Sequence, residues 1–527
     1  MVGVPGKSKA CSNCRERRLK CDLEKPYCAR CTRNNRVCGG YERPRIFVHQ
    51  FQKPTSPAKT TSSPNVFSTT PHRWTFYVPP LSDSTPFRMS PDSTVHEQRQ
   101  FISCFINEFC PVLDVSLKQC DRLHHYWVYV LPHIFGTVDL LDKSILTLSA
   151  AFLGRNSNDV HLRKRSMVMY GNAIRHLGKA MSTADFYPSD IVLATIQCLG
   201  MSEVYSPPSQ EAADHGWVSH IKGGAELLRI RGASILDTKL GRDLFIRFRA
   251  MSLWAQFVFE APILVKGQPN IHTKPFAFTD PNLRNISLLA SRDSHYSMLF
   301  HLLLDIPELL HDVNLLSTLG NNAVDTGCMV QDIFLRAVTI TESLRTWLDG
   351  FMAQHPVSYT WSNTPSETPY SIDAFPLRFD FPNLLTAQFW IHYWAAMILL
   401  MRCIMVCQKI SLHSGSTFTY DYQRLAYSPI LAGGVAISDA SAVALHLADN
   451  ICHSAAYSND GDKGMSGPIM LLFPLWIAKD TFANDGSGLS RKKELYCVEA
   501  LKALASRGMQ ISGALINHSI KDEGQTC

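Results

Sequence analysis

From about residue 95 to residue 519 the chain repeats one pattern, with apolar residues at three- and four-residue intervals and polar residues between them. HEQRQFISCFINEF, DVHLRKRSMVMYGNAIRHLGKAM, GRDLFIRFRAMSLWAQFVFEA, MVQDIFLRAVTITESLRTWLDGFM and SAVALHLADNICHSAA all carry it. Such spacing puts the apolar positions on one face of an α-helix. Alternating strand patterns and tight hairpin signals are scarce, and no tandem repeat is visible in this zone. The expectation is a large all-α domain of a dozen or more helices over 95–519, with a short tail at 520–527.

Two stretches stand out within it. LLTAQFWIHYWAAMILLM (Leu384–Met401) lacks any formal charge and just reaches the length of a membrane span. Thr386, Gln388 and His392 interrupt it and Arg402 follows at once, so it reads as a buried core helix, and no membrane is expected as a partner. The Trp- and Met-rich segment Phe389–Met405 is either plain core or one wall of a small-molecule pocket. In HGWVSHIKGGAELLRIRG (His215–Gly232), Trp217, Ile221, Gly224 and Leu228 share a helical face. Gly223 and Gly224 would permit close helix approach, and Gly232 suits a C-terminal cap. His215 and His220 point to different faces and read as core or surface histidines rather than ligands.

N-terminal to this zone the pattern stops. Ser, Thr and Pro make up 24 of the 45 residues from Phe51 to Val95. Such a composition cannot bury enough apolar surface to offset ordering entropy, so 49–94 reads as a disordered linker. Its five Ser-Pro and Thr-Pro pairs fit proline-directed phosphorylation and fit chance in such a composition equally well.

Charge separates the remaining segment, 1–48. Net charge over the 527 residues is +6, yet residues 1–50 hold twelve Lys and Arg against four acids, leaving the rest slightly acidic. A small basic head on a near-neutral body suggests a polyanionic partner. No apolar run follows the basic N-terminus, so no secretory signal is expected. G-x-S-x-G, H-E-x-x-H and G-x-G-x-x-G are absent, and PGKS (Pro5–Ser8) lacks the earlier glycine of a phosphate loop, so no enzyme is expected.

The basic head holds six of the sixteen cysteines, in CSNCRERRLKCDLEKPYCARCTRNNRVC. Cys11-x2-Cys14-x6-Cys21 recurs seventeen residues later as Cys28-x2-Cys31-x6-Cys38, joined by DLEKPY. The other ten cysteines are scattered in mostly apolar surroundings, as reduced thiols of an intracellular protein are, which argues against a disulfide knot. A metallothionein-like store would be cysteine-rich throughout. Structural zinc remains, because C-x2-C lets two thiolates converge on a tetrahedral ion. Six thiolates complete two four-sulfur sites only if two are shared. If Cys11 and Cys28 bridge, one ion takes Cys11, Cys14, Cys21 and Cys28, and the other Cys28, Cys31, Cys38 and Cys11, at roughly 2.3 Å. A segment with so little core would draw its folding free energy from the metal.

The spacing C-x2-C-x6-C-x6-C-x2-C-x6-C resembles the fungal binuclear zinc-cluster (Zn2Cys6) transcription factors, with all six ligands in register. The resemblance implies two zinc ions, bridging first and fourth cysteines, and a short helix opening each half. It also implies that residues between the second and third cysteines read CGG-type triplets in the major groove of double-stranded DNA. Matched here, those are Arg17, Arg18, Leu19 and Lys20. RERRLK (Arg15–Lys20) has four basic residues and TRNNRV two, which also favours the first half. Arg17 and Arg18 are expected at base edges, since the guanidinium fork donates to both O6 and N7 of guanine. Lys9, Arg15, Lys20, Arg43 and Arg45 are expected on phosphates, or in part to balance the cluster's charge.

HGWVSHIKGG is similar to an element of the second type of fungal-specific transcription factor domain. Many dimeric members carry a leucine heptad after the cluster. Here Pro44, Pro54 and Pro57 would break one, so self-association through the C-terminal domain stays open, as does a small-molecule effector. The expected function is a nuclear, sequence-specific regulator of RNA polymerase II transcription, acting on a metabolic or secondary-metabolite gene set. The alternative is a sensor of a small, for example sterol-like, molecule, or an interaction scaffold with little DNA binding. The basic Arg15–Lys20 run is what such a scaffold would not need.

Overall fold

In the computed structural model the three-four spacing winds up as helices, several of which begin at side-chain caps. The structure describes residues 10, 11, 14, 19–24, 28–34 and 38 of the cysteine segment. Beyond it, the structure describes 93–110, 126–183, 187–206, 213–257, 278–319, 324–354, 359–365, 373–413, 418–422 and 439–517. Two compact units result, residues 1–87 and 88–527. The expected linker lies outside the described residues save for its last two positions, which already belong to a helix. The expected tail, 520–527, lies outside them as well.

The first unit has helix α1 (Ala29–Arg33). The second runs α2 (Ser93–Phe109), α3 (Asp139–Asn156), α4 (Val160–Met181), α5 (Asp190–Tyr205), α6 (Ala213–Arg231), α7 (Lys239–Ala255), α8 (Pro281–Leu289), α9 (His295–Leu302), α10 (Ile306–Leu319) and α11 (Val324–Gln354). It continues with strands β1 (Thr360–Asn363) and β2 (Leu377–Asp380), then α12 (Leu384–His413), α13 (Ala440–Ser458), α14 (Ser466–Asp485), α15 (Gly488–Ser506) and α16 (Ile511–Asn517). Asp159, Ser189, Thr238, Asp280, Ser294, Asp439 and Ser487 each accept a backbone amide at the start of α4, α5, α7, α8, α9, α13 and α15. Every such cap stabilises its helix by about 1 kcal/mol.

α3 packs on α4 and α5, and α5 on α6, while α12 is enclosed by α11, α13 and α14. α12 contains the uncharged stretch and is a core helix. From Phe389 to Met401 no residue is more than 2% exposed, so none of its faces is left for lipid. Its aromatic side stacks on α11, with Phe351 and Phe389 rings 4.1 Å apart. The one departure from an all-helical layout among the described residues is the antiparallel pair β1–β2, in register Thr360↔Asp380 to Asn363↔Leu377. Four residues per strand, thirteen residues apart, give too short an alternation to read from sequence.

The predicted face of α6 is buried, with Trp217, Ile221 and Leu228 at 7% exposure or less. At Gly224 a β-carbon would come within 2.6 Å of the Phe248 ring of α7, so the glycine permits this crossing. Gly232 closes the helix at φ +59°. His220 meets Glu203 and the Tyr170 hydroxyl, an internal polar cluster linking α6, α5 and α4.

His392 sits inside α12, stacked on Trp254 with centroids 5.5 Å apart, and its Nδ1 lies 2.7 Å from the Gln388 carbonyl. Burial lowers its imidazole to about 4. The unfolded chain therefore takes up this proton first, so stability is full above pH about 6.5 and falls as pH drops toward 4. By pH 5 the loss should be roughly 2 kcal/mol. Urea midpoints at pH 7 and pH 5 check this, because His392→Phe should shrink the difference between them.

Candidate metal centre

The six sulfurs draw together into one small core with Ala10. Cys11, Cys14, Cys21 and Cys28 form one group, and Cys11, Cys28, Cys31 and Cys38 form another, each with sulfurs within 4.8 Å of one another. Cys11 and Cys28 belong to both groups. Cys11 Sγ lies 3.6 Å from Cys28 Sγ and 3.9 Å from Cys31 Sγ, and Cys14 Sγ lies 3.8 Å from Cys28 Sγ. A tetrahedron with metal–sulfur bonds of 2.3 Å has edges of about 3.8 Å. A disulfide needs about 2.05 Å. The donor set therefore fits tetrahedral four-sulfur coordination and not cross-linking.

Backbone amides point the same way. Cys14 N donates to Cys11 Sγ at 3.4 Å, and Cys31 N donates to Cys28 Sγ at 3.3 Å. These are equivalent positions in the two half-repeats, so each shared sulfur receives one amide from its own C-x2-C turn. Burial raises the Cys11, Cys14 and Cys28 thiols, and contact with the Cys28 sulfur followed by burial raises Cys31. Thiols crowded this closely resist ionising, a balance that a divalent cation reverses.

Asp22, in the DLEKPY joint, is a residue that spacing did not single out. Its carboxylate accepts from Ala29 N at 3.1 Å and Arg30 N at 2.8 Å, at the start of α1, and from Glu24 N at 3.1 Å. Partial desolvation works against the charge, but the amides of Glu24, Arg30 and Ala29 outweigh it and hold the carboxyl below its ordinary value. Next to it Leu23 takes a left-handed φ of 67°. The Arg30 guanidinium reaches back to the Lys20 carbonyl at 3.1 Å, closing the joint from the other side. The available signal was an acid inside an otherwise basic segment, just before a cysteine-initiated helix.

Leu19 and Lys20 are exposed, and Leu19 N donates to the Cys14 carbonyl at 2.8 Å. Lys9, Arg15, Arg17, Arg18, Arg43 and Arg45 lie outside the described residues.

Residues 9–45 match the family described as the fungal Zn(2)-Cys(6) binuclear cluster domain. Residues 100–257 match the fungal specific transcription factor domain. The chain carries both domains of a fungal zinc-cluster transcription factor. Its zinc-cluster domain thus contains every cysteine of the two sulfur groups, and its transcription factor domain runs from α2 through α7. Similar proteins include the transcriptional regulatory protein moc3 of Schizosaccharomyces pombe, 39% identical over 66 residues, covering 10% of this chain and 13% of that protein. The uncharacterized protein AN5342 of Emericella nidulans is 28% identical over 148 residues, covering 28% of this chain and 31% of that protein. The matches thus span less than a third of either relative's length. No solved structure matches the chain.

In the helical unit, a cleft of about 480 Å³ lies between Asn107, Glu108, Asn156, Ser157, Gly461, Gly464, Met465 and Arg507. No residue of α12 is among those lining this cleft.

Proposed function

We propose that the chain is a nuclear, sequence-specific DNA-binding regulator of RNA polymerase II transcription, with two zinc ions in its cluster. Cys11, Cys14, Cys21 and Cys28 would hold one ion, and Cys11, Cys28, Cys31 and Cys38 the other. Bound zinc supplies the folding free energy that this segment cannot draw from apolar burial. What carries the reading is the pair of sulfur groups sharing Cys11 and Cys28, set against the basic run RERRLK. The similarity to moc3 of Schizosaccharomyces pombe, a transcriptional regulatory protein, agrees with it.

In this reading the first half-repeat contacts DNA and the second braces it. Arg17 and Arg18 reach guanine edges of CGG-type triplets, with Leu19 and Lys20 beside them. Lys9, Arg15, Lys20, Arg43 and Arg45 mainly hold phosphates. Site selection from random duplexes with the full-length protein tests this, and a selected motif without a CGG-type triplet would overturn it. Mapped onto promoters, the same motif tests the metabolic or secondary-metabolite gene set that the resemblance implies. Arg18→Ala should weaken the selected site by about 1–3 kcal/mol and relax preference at one base pair. Equal weakening on all sequences would make Arg18 a phosphate contact. Affinity should also fall steeply with salt, in proportion to the phosphates neutralised.

A further inference from the structure

Helix α4 holds five Lys and Arg residues and no Asp or Glu, in a region of the chain that is otherwise slightly acidic. It packs on α3 and α5 through one side, where Ser166, Ala173 and Leu177 are buried. The opposite side is bare. His161, Arg165, Val168, Asn172, Arg175 and Lys179 follow one another at four-three-four-three-four spacing, and all are exposed. Lys164 lies beside this stripe, and so does Met167, which is 49% exposed; Val168 at its centre is 65% exposed. Among the described residues Lys164, Arg165 and Lys179 make no ion pair, and Arg175 bonds its own helix, at the Gly171 carbonyl and Asn172.

The neighbouring acids are already engaged. Asp159 caps the helix through the amides of His161 and Leu162. Asp139 is held by Lys143 Nζ at 2.6 Å, with His176 Nδ1 at 3.7 Å.

We propose that this face of α4 docks an acidic amphipathic helix of another protein. Four-three spacing is what a partner helix needs to lie along the stripe. Arg165 and Arg175 are ten residues apart, about 15 Å along the axis. That places cationic pairs, Lys164 with Arg165 and Arg175 with Lys179, on either side of a central apolar strip. Gly171 has open space where a β-carbon would stand, leaving a notch one turn from Val168 for an aliphatic side chain of the partner. The complement is a helix with Leu- or Ile-type residues at its centre and carboxylates near both ends.

Charge argues against the other occupants. A second copy packed antiparallel would bring Lys164 and Arg165 against Arg175 and Lys179. The chain's own segment 49–92 holds four Lys and Arg against two acids. Phosphates of DNA would meet the cations but gain nothing from Met167 and Val168, whose burial is what an aliphatic partner contributes.

The test uses full-length protein and a fluorescein-labelled helical peptide with a central leucine strip and flanking glutamates. Its controls are a scramble of the same composition, a version with lysine for glutamate, and a random-sequence DNA duplex. The acidic peptide should bind in preference to its scramble, more weakly as salt rises. Lys164→Glu/Arg165→Glu, and separately Val168→Asp, should each weaken it by about tenfold or more. The charge-reversed protein should gain binding to the lysine peptide, an outcome that misfolding cannot produce. Equal binding of the scramble, or no binding of the acidic peptide, overturns the proposal. So does a loss confined to duplex binding, which would make the face a phosphate contact.

Discussion

Cys28→Ser should release both zinc ions at once, whereas Cys21→Ser should release one. Cys28 stands in both sulfur groups and Cys21 in the first alone. A serine hydroxyl is a poor substitute for a thiolate that bridges two cations. Among its described residues the cluster segment has no apolar core beyond its own sulfurs and Ala10, so metal loss should unfold it. Structural zinc contributes about 10–16 kcal/mol in modules of this kind. The expected result is zero bound zinc by mass spectrometry of full-length Cys28→Ser, with specific DNA binding reduced by at least about a hundredfold, against two ions in the unmodified chain. Retention of one ion would overturn the shared-ligand assignment. Acidification should act in the same direction, because protons compete with the metal for thiolate and crowding already favours the protonated form.

In the helical unit the largest single loss is expected from Asp480→Ala. Arg402 ends the uncharged stretch of α12 and is 9% exposed. Its guanidinium donates to Asp480 Oδ2 at 2.7 Å and to Thr481 Oγ1 at 3.0 Å, both on α14. Removing the carboxylate leaves a buried cation with one neutral acceptor, which should cost about 3–5 kcal/mol in urea unfolding. Replacing both partners, as Arg402→Met/Asp480→Leu, removes the desolvation penalty together with the attraction. The double variant should therefore be more stable than Asp480→Ala alone. If the two unfold alike, the pair contributes through packing rather than charge.

What the sequence made legible follows from how local each signal is. The six cysteines were readable because coordination imposes short spacings that survive in one dimension, and the counting that forces two shared sulfurs needs no coordinates. α6 was readable for the same reason, since Trp217, Ile221, Gly224 and Leu228 recur at helical spacing and Gly232 ends the run. Other features depend on contacts that spacing does not encode. Asp22 acts across seven and eight residues on backbone amides. The Tyr170–Glu203–His220 cluster joins three helices. Periodicity identifies α4 as a helix but cannot tell which of its faces α3 and α5 leave uncovered. β1 and β2 are too brief to alternate visibly.

The bonds from Asp22 to Ala29 and Arg30 have a consequence for modularity. The cysteine spacing suggests a motif duplicated in tandem, each copy running from its C-x2-C to its third thiol. Yet the second copy's helix is capped by a carboxylate that precedes it, in what looks like spacer. The segment that repeats begins at Cys28, while the segment that folds begins at Asp22. A chimaera joined at Cys28 would cut through that cap, and one joined before Asp22 would carry it along.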